Sequence, residues 1–309
     1  MKCAIILAGG KGTRMKSEKP KVMCEVLFVP MIKYVLDAVR EAGVKDICVI
    51  TGYEHETVGN YLKGVDADIK TALQSPQLGT GHAVMQARDF ITAHQEDDIL
   101  ILNGDGPLMD SYTVNKAYNY HKSNNNGITL ISAVVDDVHG IGHIKRDNNG
   151  TLLRIVEDKD ATDEEKQIME ANSGTYWFKG SSLLYAIDNI TNDNAQKEYY
   201  LTDALELLIK KGENKGAYIA ENSEVILGAN DRVQLNDLNT IMRRNINNAH
   251  MLRGIDIPCT DGVMIGKNVK IGNSTRILPN TIIIGDTEIG EPFEAPTQEE
   301  LRNNIINVK

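Results

Sequence analysis

Isoleucine recurs every six residues toward the carboxyl end of this chain, at Ile265, Ile271, Ile277, Ile283 and Ile289. Glycine follows Ile265, Ile271 and Ile289 directly, and Val263, Val269, Thr275, Thr281 and Thr287 stand two places before the five isoleucines. A strict period of six puts one apolar side chain at the same point of successive short strands. Each hexapeptide then forms one side of a triangular coil, the left-handed parallel β-helix. A pair of ordinary strands is the alternative, and five consecutive matches weigh against it. With three sides to a coil, these five hexapeptides make fewer than two coils. Repeat folds need about three or more units to bury a continuous core. The stump is therefore expected to be capped, either by residues 291–309 or by other subunits in a homotrimer.

A different texture precedes it. Over the first 230 residues, short β-rich runs alternate with longer amphipathic ones, the pattern of βα units around a mainly parallel sheet. Strands are expected at residues 3–7, 47–50, 69–73, 98–102, 128–135, 151–156, 174–178 and 217–219. Helices are expected at 31–42, 55–62, 82–91, 112–121, 181–187 and 202–211, followed by a long one over 230–250. The fold class is thus α/β, a doubly wound domain over residues 1–229, a connecting helix over 230–254, and the short β-helix over 255–290 before the tail 291–309.

Composition narrows the partners. A net charge of −10 argues against a nucleic-acid scaffold, which needs a basic footprint, but allows small anionic substrates held by a few placed lysines. Cys3, Cys24, Cys48 and Cys259 form no CxxC pair and no metal-ligand spacing, which suits a reducing compartment. No apolar run approaches the roughly 18 residues of a membrane span, and the apolar start meets Gly9-Gly10-Lys11-Gly12 with no cleavage site. The expectation is a cytoplasmic protein with no membrane partner.

The strongest local signal follows the first strand: Leu7-Ala8-Gly9-Gly10-Lys11-Gly12-Thr13-Arg14, then Lys19-Pro20-Lys21. A glycine-rich turn at the carboxyl end of a strand is where open α/β sheets bind ligands. Glycines let backbone N–H groups approach phosphate oxygens, and Lys11, Arg14 and Lys21 supply charge. Neither common phosphate template fits. There is no G-x-x-x-x-G-K-[ST], and Met15 stands where G-x-G-x-x-G needs its third glycine.

Those residues, with Met15 and Val22 completing them, resemble the sugar-nucleotide pyrophosphorylases, and the rest of the chain resembles one branch, the bacterial N-acetylglucosamine-1-phosphate uridylyltransferases. The resemblance rests on Gln74 with Gln77-Leu78-Gly79-Thr80-Gly81-His82-Ala83, Asn103-Gly104-Asp105-Gly106-Pro107-Leu108, Ile155 to Thr162, Asn172-Ser173-Gly174, Asn194 to Asp203, and Gly228 to Arg232. It implies a magnesium-dependent enzyme converting UTP and N-acetylglucosamine 1-phosphate to UDP-N-acetylglucosamine and pyrophosphate. By the same resemblance, Leu7, Ala8, Gly9, Gly10 and Lys21 hold the nucleotide phosphates, and Gln74, Gly79 and Thr80 read uracil. Asn103, Gly104, Asp105 and Asn230 form the magnesium segment, with Asp105 and Asn230 as ligands. Gly142, Glu157, Asn172 and Thr202 meet the sugar. Arg14, Lys21 and Asp105 are the catalytic candidates.

The residues can also be judged singly. A glutamine offers donor and acceptor together, which suits an imide edge. A carboxylate such as Asp105, ending the apolar strand Ile99-Leu100-Ile101-Leu102, is costly there unless paired or coordinated. Magnesium needs only one or two protein ligands. Asn230 also suits a helix N-cap. His82 is read as packing or capping, and the acidic run from Asp160 to Glu165 as a solvated helix start. Two departures stand out: Ile141-Gly142-His143 replaces the usual Tyr-Gly-Arg, and Phe28-Val29 replaces Gly-Lys. The first touches the sugar side, so another sugar or another nucleotide stays open, as does a nucleotide-sugar sensor without turnover. Bifunctional relatives carry a long β-helix for acetyl transfer, and no acetyltransferase activity is expected of so short a repeat.

Overall fold

The structure, a computed structural model, describes residues 1–290 apart from residues 137, 139 and 195. Two compact units divide it: Met1–Cys24 with Met31–Asp231, and Glu25–Pro30 with the chain from Arg232 onward.

In chain order the strands up to residue 219 are β1 (Lys2–Ala8), β2 (Glu25–Val26), β3 (Val29–Pro30), β4 (Asp46–Thr51), β5 (Lys70–Leu73), β6 (Asp98–Asn103), β7 (Ile128–Val134), β8 (His143–Arg146), β9 (Leu152–Val156), β10 (Glu170–Lys179) and β11 (Lys215–Ile219). The first unit is built on a sheet of order β11-β7-β10-β6-β1-β4-β5, with β8 and β9 branching from β10. Neighbours pair in parallel except β10, which runs antiparallel to both β6 and β7.

Alternating side chains on the central strands feed two separate cores, as expected for parallel strands covered on both sides. Ala4, Ile6, Leu100 and Leu102 pack with Ile32, Val35, Leu36 and Val39 of the helix Met31–Glu41 and with Val58 and Leu62 of His55–Val65. Cys3, Ile5, Ile99 and Ile101 pack with Leu183, Ala186 and Ile187 of Gly180–Asn189 and with Leu205 and Leu208 of Asp203–Lys210. Helices on both faces of a mainly parallel sheet are the doubly wound arrangement. From β1 the chain moves outward through β4 to β5, then returns to β6 on the opposite side of β1. That reversal opens a crevice at the carboxyl ends of β1 and β6.

Two expectations need correction, and one strand was not anticipated. The helix expected over 82–91 is two short ones, Thr80–Met85 and Arg88–Ala93, because Ala87 leaves the helical region (φ −90, ψ 17). The strand β8 carries too little apolar pattern, His-Ile-Lys-Arg, to stand out in the sequence. The run from Asp160 to Glu165 does not begin a helix. It runs from the last residue of one 3-10 turn, Asp158–Asp160, to the first of another, Glu165–Gln167, and Glu165 is buried, bonded by Lys145 (2.7 Å) and Arg154 (2.7 Å). Those two cations hold its carboxyl down to about 2.

In the second unit, the helix Arg232–Leu252 supplies the Asn239 side chain, which accepts from the Leu27 amide at 2.9 Å in the hairpin of β2 and β3. Farther on, Met264–Ile265 pairs in parallel with Ile282–Ile283, and Lys270–Ile271 with Glu288–Ile289. Ile265, Ile271, Ile277 and Ile283 are buried together with Val263 and Val269. The tail 291–309, expected as a cap, lies outside the described residues. No helix among the described residues is long and apolar enough to cross a membrane.

Candidate active site

A cavity of about 790 Å3 opens at the carboxyl edge of the sheet in the first unit. Of the residues singled out from the sequence, Leu7, Ala8, Gly9, Gly10, Lys21, Gln74, Gly79, Thr80, Asn103, Asp105, Glu157 and Thr202 line it. Arg14, Gly104, Gly142, Asn172 and Asn230 do not. Gly104 is buried beneath the floor, its amide donating to Leu7 O at 2.9 Å. Arg14 lies exposed on the 3-10 turn Thr13–Met15. Tyr200, which the resemblance places with Thr202 in a segment closing over the sugar side, also lines it, and lining residues that sequence reasoning did not assign include Gln77, Asp158, Lys159, Asp160, Gln196 and Glu198. These six lie inside or beside the quoted motifs, which was the only signal for them.

One end of the cavity is ionic. The Lys21 ammonium pairs with the Asp105 carboxylate and donates to Asn230 Oδ1 at 2.8 Å. Asp105 follows β6, Lys21 opens the turn Lys21–Met23, and Asn230 lies two places before the helix beginning at Arg232. Segments far apart in sequence therefore aim two oxygen donors and one cation at a common point. The fit to magnesium can be judged from this geometry. Two oxygens, one of them anionic, already converge on a positive charge, and among the described residues no group of three or more His, Cys, Asp or Glu side chains forms a cage. That donor set suits an ion that takes one or two protein ligands and fills its shell with phosphate and water.

On one wall, Gln74 is only 7% exposed. Its Nε2 donates to Gly79 O at 2.9 Å and lies 3.4 Å from His82 Nδ1. Its Oε1 approaches Gly9 so closely that a Cβ there would sit 2.8 Å away, so Gly9 cannot carry a side chain without moving it. Gln77 Nε2 donates to the Gly9 carbonyl, which also accepts from Tyr53 N at 3.1 Å. His82 thus packs in the wall, as expected, between Gln74 and Gln86.

Gly79 is the pivot of this wall. Its backbone (φ 100, ψ 174) is closed to other residues, and an added Cβ would lie 2.5 Å from Tyr199 O. The close approach exists because two loops are laced together. Tyr199 N donates to Leu78 O (2.8 Å), Gly81 N to Tyr199 O (2.8 Å), and Leu201 N to Thr80 Oγ1 (3.1 Å).

Across the cavity, Glu157 follows β9 and accepts from Thr202 Oγ1 at 3.4 Å. Burial raises its carboxyl above the ordinary range, and Asp160 and Asp203 push the same way against the Thr202 bond. Burial likewise raises the Tyr200 phenol, reinforced by Glu198 and Asp160. Asn172 and Gly142 sit behind Glu157. The Asn172 amide donates to Gly142 O at 2.8 Å, and the Asn172 side chain is spent on Tyr176 Oη (2.8 Å) and the Gly174 amide (3.2 Å). His143, where the sequence departs from its relatives, is buried, with Nδ1 3.0 Å from Ile168 O and Nε2 3.4 Å from Asp158. Asp158 in turn accepts from Gly140 N at 2.9 Å, so the imidazole braces a carboxylate of the lining and the turn beside it.

Residues 3–242 match the nucleotidyl transferase family. The protein named Bifunctional protein GlmU of Caldanaerobacter subterraneus subsp. tengcongensis is 46% identical over 98% of this chain and 65% of its own length. Its namesake from Clostridioides difficile is 44% identical over 98% and 65%. The chain therefore spans about two thirds of the length of these curated relatives. A solved structure assigned as a glucose-1-phosphate thymidylyltransferase from Bacillus anthracis superposes with a TM-score of 0.64 at 22% identity, covering 78% of this chain and 95% of that one. At that identity the likeness speaks for the fold alone.

Proposed function

This chain belongs to the nucleotidyl transferase family, and we propose that it joins UTP to N-acetylglucosamine 1-phosphate, forming UDP-N-acetylglucosamine and releasing pyrophosphate. One observation carries the reading: a single cavity holds the Lys21–Asp105 cluster, the Gln74–Gly79–Thr80 wall and the Glu157–Thr202 pair, one feature for each part of the two substrates.

On this reading a phosphate oxygen of the sugar 1-phosphate attacks the α-phosphorus of UTP in line. One P–O bond forms as the α–β bridge breaks, and no proton has to be removed from a nucleophile already anionic. The residues then act by positioning and by neutralising charge. Lys21 neutralises phosphate oxygens beside the Gly9–Gly10 backbone, and Arg14, exposed on its turn, reaches them when that turn closes. Mg2+, held by Asp105 and Asn230, adds further neutralisation of the reacting phosphates when bound. Since Gln74 spends its amide nitrogen on Gly79 and His82, its Oε1 is the group offered to the base. An acceptor there suits the N3–H of uracil and rejects cytosine, which has a lone pair at that position. Glu157 and Thr202 receive the sugar hydroxyls, with Asn172 and Gly142 supporting them from behind.

The six-residue repeat of the second unit is read as the sides of a left-handed parallel β-helix, and its open end as the seat of a homotrimer. Light scattering of the chain tests the latter, since a monodisperse monomer removes it. For the activity, pyrophosphate release across four NTPs and several sugar 1-phosphates decides. UTP with N-acetylglucosamine 1-phosphate should give the highest kcat/KM and CTP almost none. Equal use of CTP refutes the Gln74 reading, and silence with every pair favours a binding protein that senses nucleotide sugars.

A further inference from the structure

The ionic end of the cavity holds a positive charge of its own, on the two oxygens read above as magnesium ligands. Lys21 Nζ pairs with Asp105 and donates to Asn230 Oδ1 at 2.8 Å. From this geometry we propose that Lys21 is an internal placeholder for the divalent cation. It occupies the metal position while the site is empty and is released to the nucleotide's phosphates when the metal arrives. The proposal rests on the reading of Asp105 and Asn230 as metal ligands.

The physical case is one of charge exchange. In this geometry Asp105 is compensated by Lys21, so neither charge is left unpaired at a point where both are largely shielded from water. A bare divalent ion has to displace the ammonium and then sit beside a like charge with nowhere better to go, and like charges a few ångströms apart repel strongly at a protein site. A metal accompanied by a triphosphate meets no such opposition. The phosphate oxygens offer Lys21 a new anionic partner, and Lys21 also lines the cavity beside Gly9 and Gly10. Metal and nucleotide should therefore bind with positive coupling, each raising the other's affinity by one common factor. Lys21 is the residue that makes the site selective for the metal–nucleotide pair over either component alone.

The consequence has an unusual sign: removing a cation that serves the reaction should improve metal binding by the empty protein. Mn2+ binding, followed by loss of its free-ion electron paramagnetic resonance signal, reads this without turnover. Wild type should bind Mn2+ weakly in the absence of nucleotide. Lys21→Met should bind it on the order of tenfold or more tightly, and Lys21→Gln should gain in the same direction if the methionine variant folds poorly. Lys21→Arg, which keeps the cation, should stay near wild type. Adding Asp105→Asn to Lys21→Met should abolish the gain. The coupling between Mn2+ and UTP should be large in wild type and shrink in Lys21→Met.

If Lys21→Met and Lys21→Gln bind Mn2+ no more tightly than wild type, the placeholder role is wrong. It is equally wrong if the gain survives Asp105→Asn, because the ion is then elsewhere. Failure of the underlying reading looks different: UTP-supported Mn2+ binding by the wild-type protein would be indifferent to Asp105→Asn.

Discussion

Replacing Gly79 by alanine puts a single methyl group at the point where two loops are laced together. The backbone there has φ 100 and ψ 174, a region that residues other than glycine enter at a cost of about 1–3 kcal/mol. The new Cβ would stand 2.5 Å from Tyr199 O, 3.0 Å from Tyr199 N and 3.1 Å from Glu198 Cβ. Two of those three atoms are backbone, held by the Leu78 and Gly81 hydrogen bonds, so the strand of contacts cannot yield cheaply. Overpacking of this kind adds about 1–3 kcal/mol. A total near 3 kcal/mol is expected, taken either as a lower urea midpoint of the whole domain or as local separation of the loops. In both cases Gln74 loses the Gly79 carbonyl that orients it, so the KM for UTP should rise tenfold or more, by a rough estimate from losing one ordered hydrogen bond to a buried amide. Gly59→Ala is the matched control, since nothing lies within 4 Å of its added Cβ and Gly59 does not line the cavity. Urea melts and steady-state kinetics of both variants provide the assay. A Gly79→Ala protein with wild-type midpoint and wild-type KM for UTP would refute the lacing of the two loops.

Asp105→Asn should lower kcat on the order of 100-fold or more, and Asn230→Ala less. The double variant should fall short of the product of the two losses because both act on one point, and a magnesium titration of the rates checks this. Glu157→Gln should raise the KM for the sugar phosphate while leaving that for UTP alone. Because burial raises the Glu157 carboxyl in the folded state, the wild type binds this proton more tightly folded than unfolded, and its stability falls as pH climbs above the ordinary glutamate value of 4.5. Glu157→Gln should thus be at least as stable as wild type at pH 7 and lose that advantage near pH 4, measured by urea melts at both. Asp98 behaves oppositely. Burial alone would raise its carboxyl, but His121 and Lys122 prevail and hold it at about 2. It should contribute about 2 kcal/mol above pH 3.8, lost as pH falls toward 2, and Asp98→Asn should remove that pH dependence in acid melts.

Much of the fold was legible because the strands that matter are short, apolar and separated by helices. β1, β4 and β6 bury both faces and read as continuous aliphatic runs. The strand β8, half polar and four residues long, left no such trace, and with it went the setting of Glu165. On paper that residue belongs to a charged surface run. In space, Lys145 of β8 and Arg154 of β9 close over it. The candidate site was legible by residue type and motif, which gathered twelve of the lining residues. What sequence could not supply was who holds whom. Lys21, Asp105 and Asn230 are far apart along the chain, and only the folded crevice shows that the lysine stands on both oxygens. His143 was visible as a departure, but its grip on Asp158 depends on the pairing of β8 with β9, which no periodicity announced.

The strand β10 pairs antiparallel with β6 on one side and with β7 on the other. It therefore joins β6, which runs to Asn103, to β7 through main-chain pairing over Thr175–Phe178, with a register shift between Asn172 and Thr175 on the β7 side. An enzyme that closes on its substrates by swinging two lobes about a hinge needs a seam with few such bonds, and among the described residues β10 pairs with strands on both of its sides. On the proposed reading, parting the nucleotide side from the sugar side would mean tearing a sheet, at the cost of several buried amide bonds at once. On the proposed activity, any gating would fall to the rim, the segments around Gly10 and Tyr200, above that paired floor. Such gates are light and quick to shift, so the pace of product release should answer to mutations in those loops and hardly at all to mutations in the sheet.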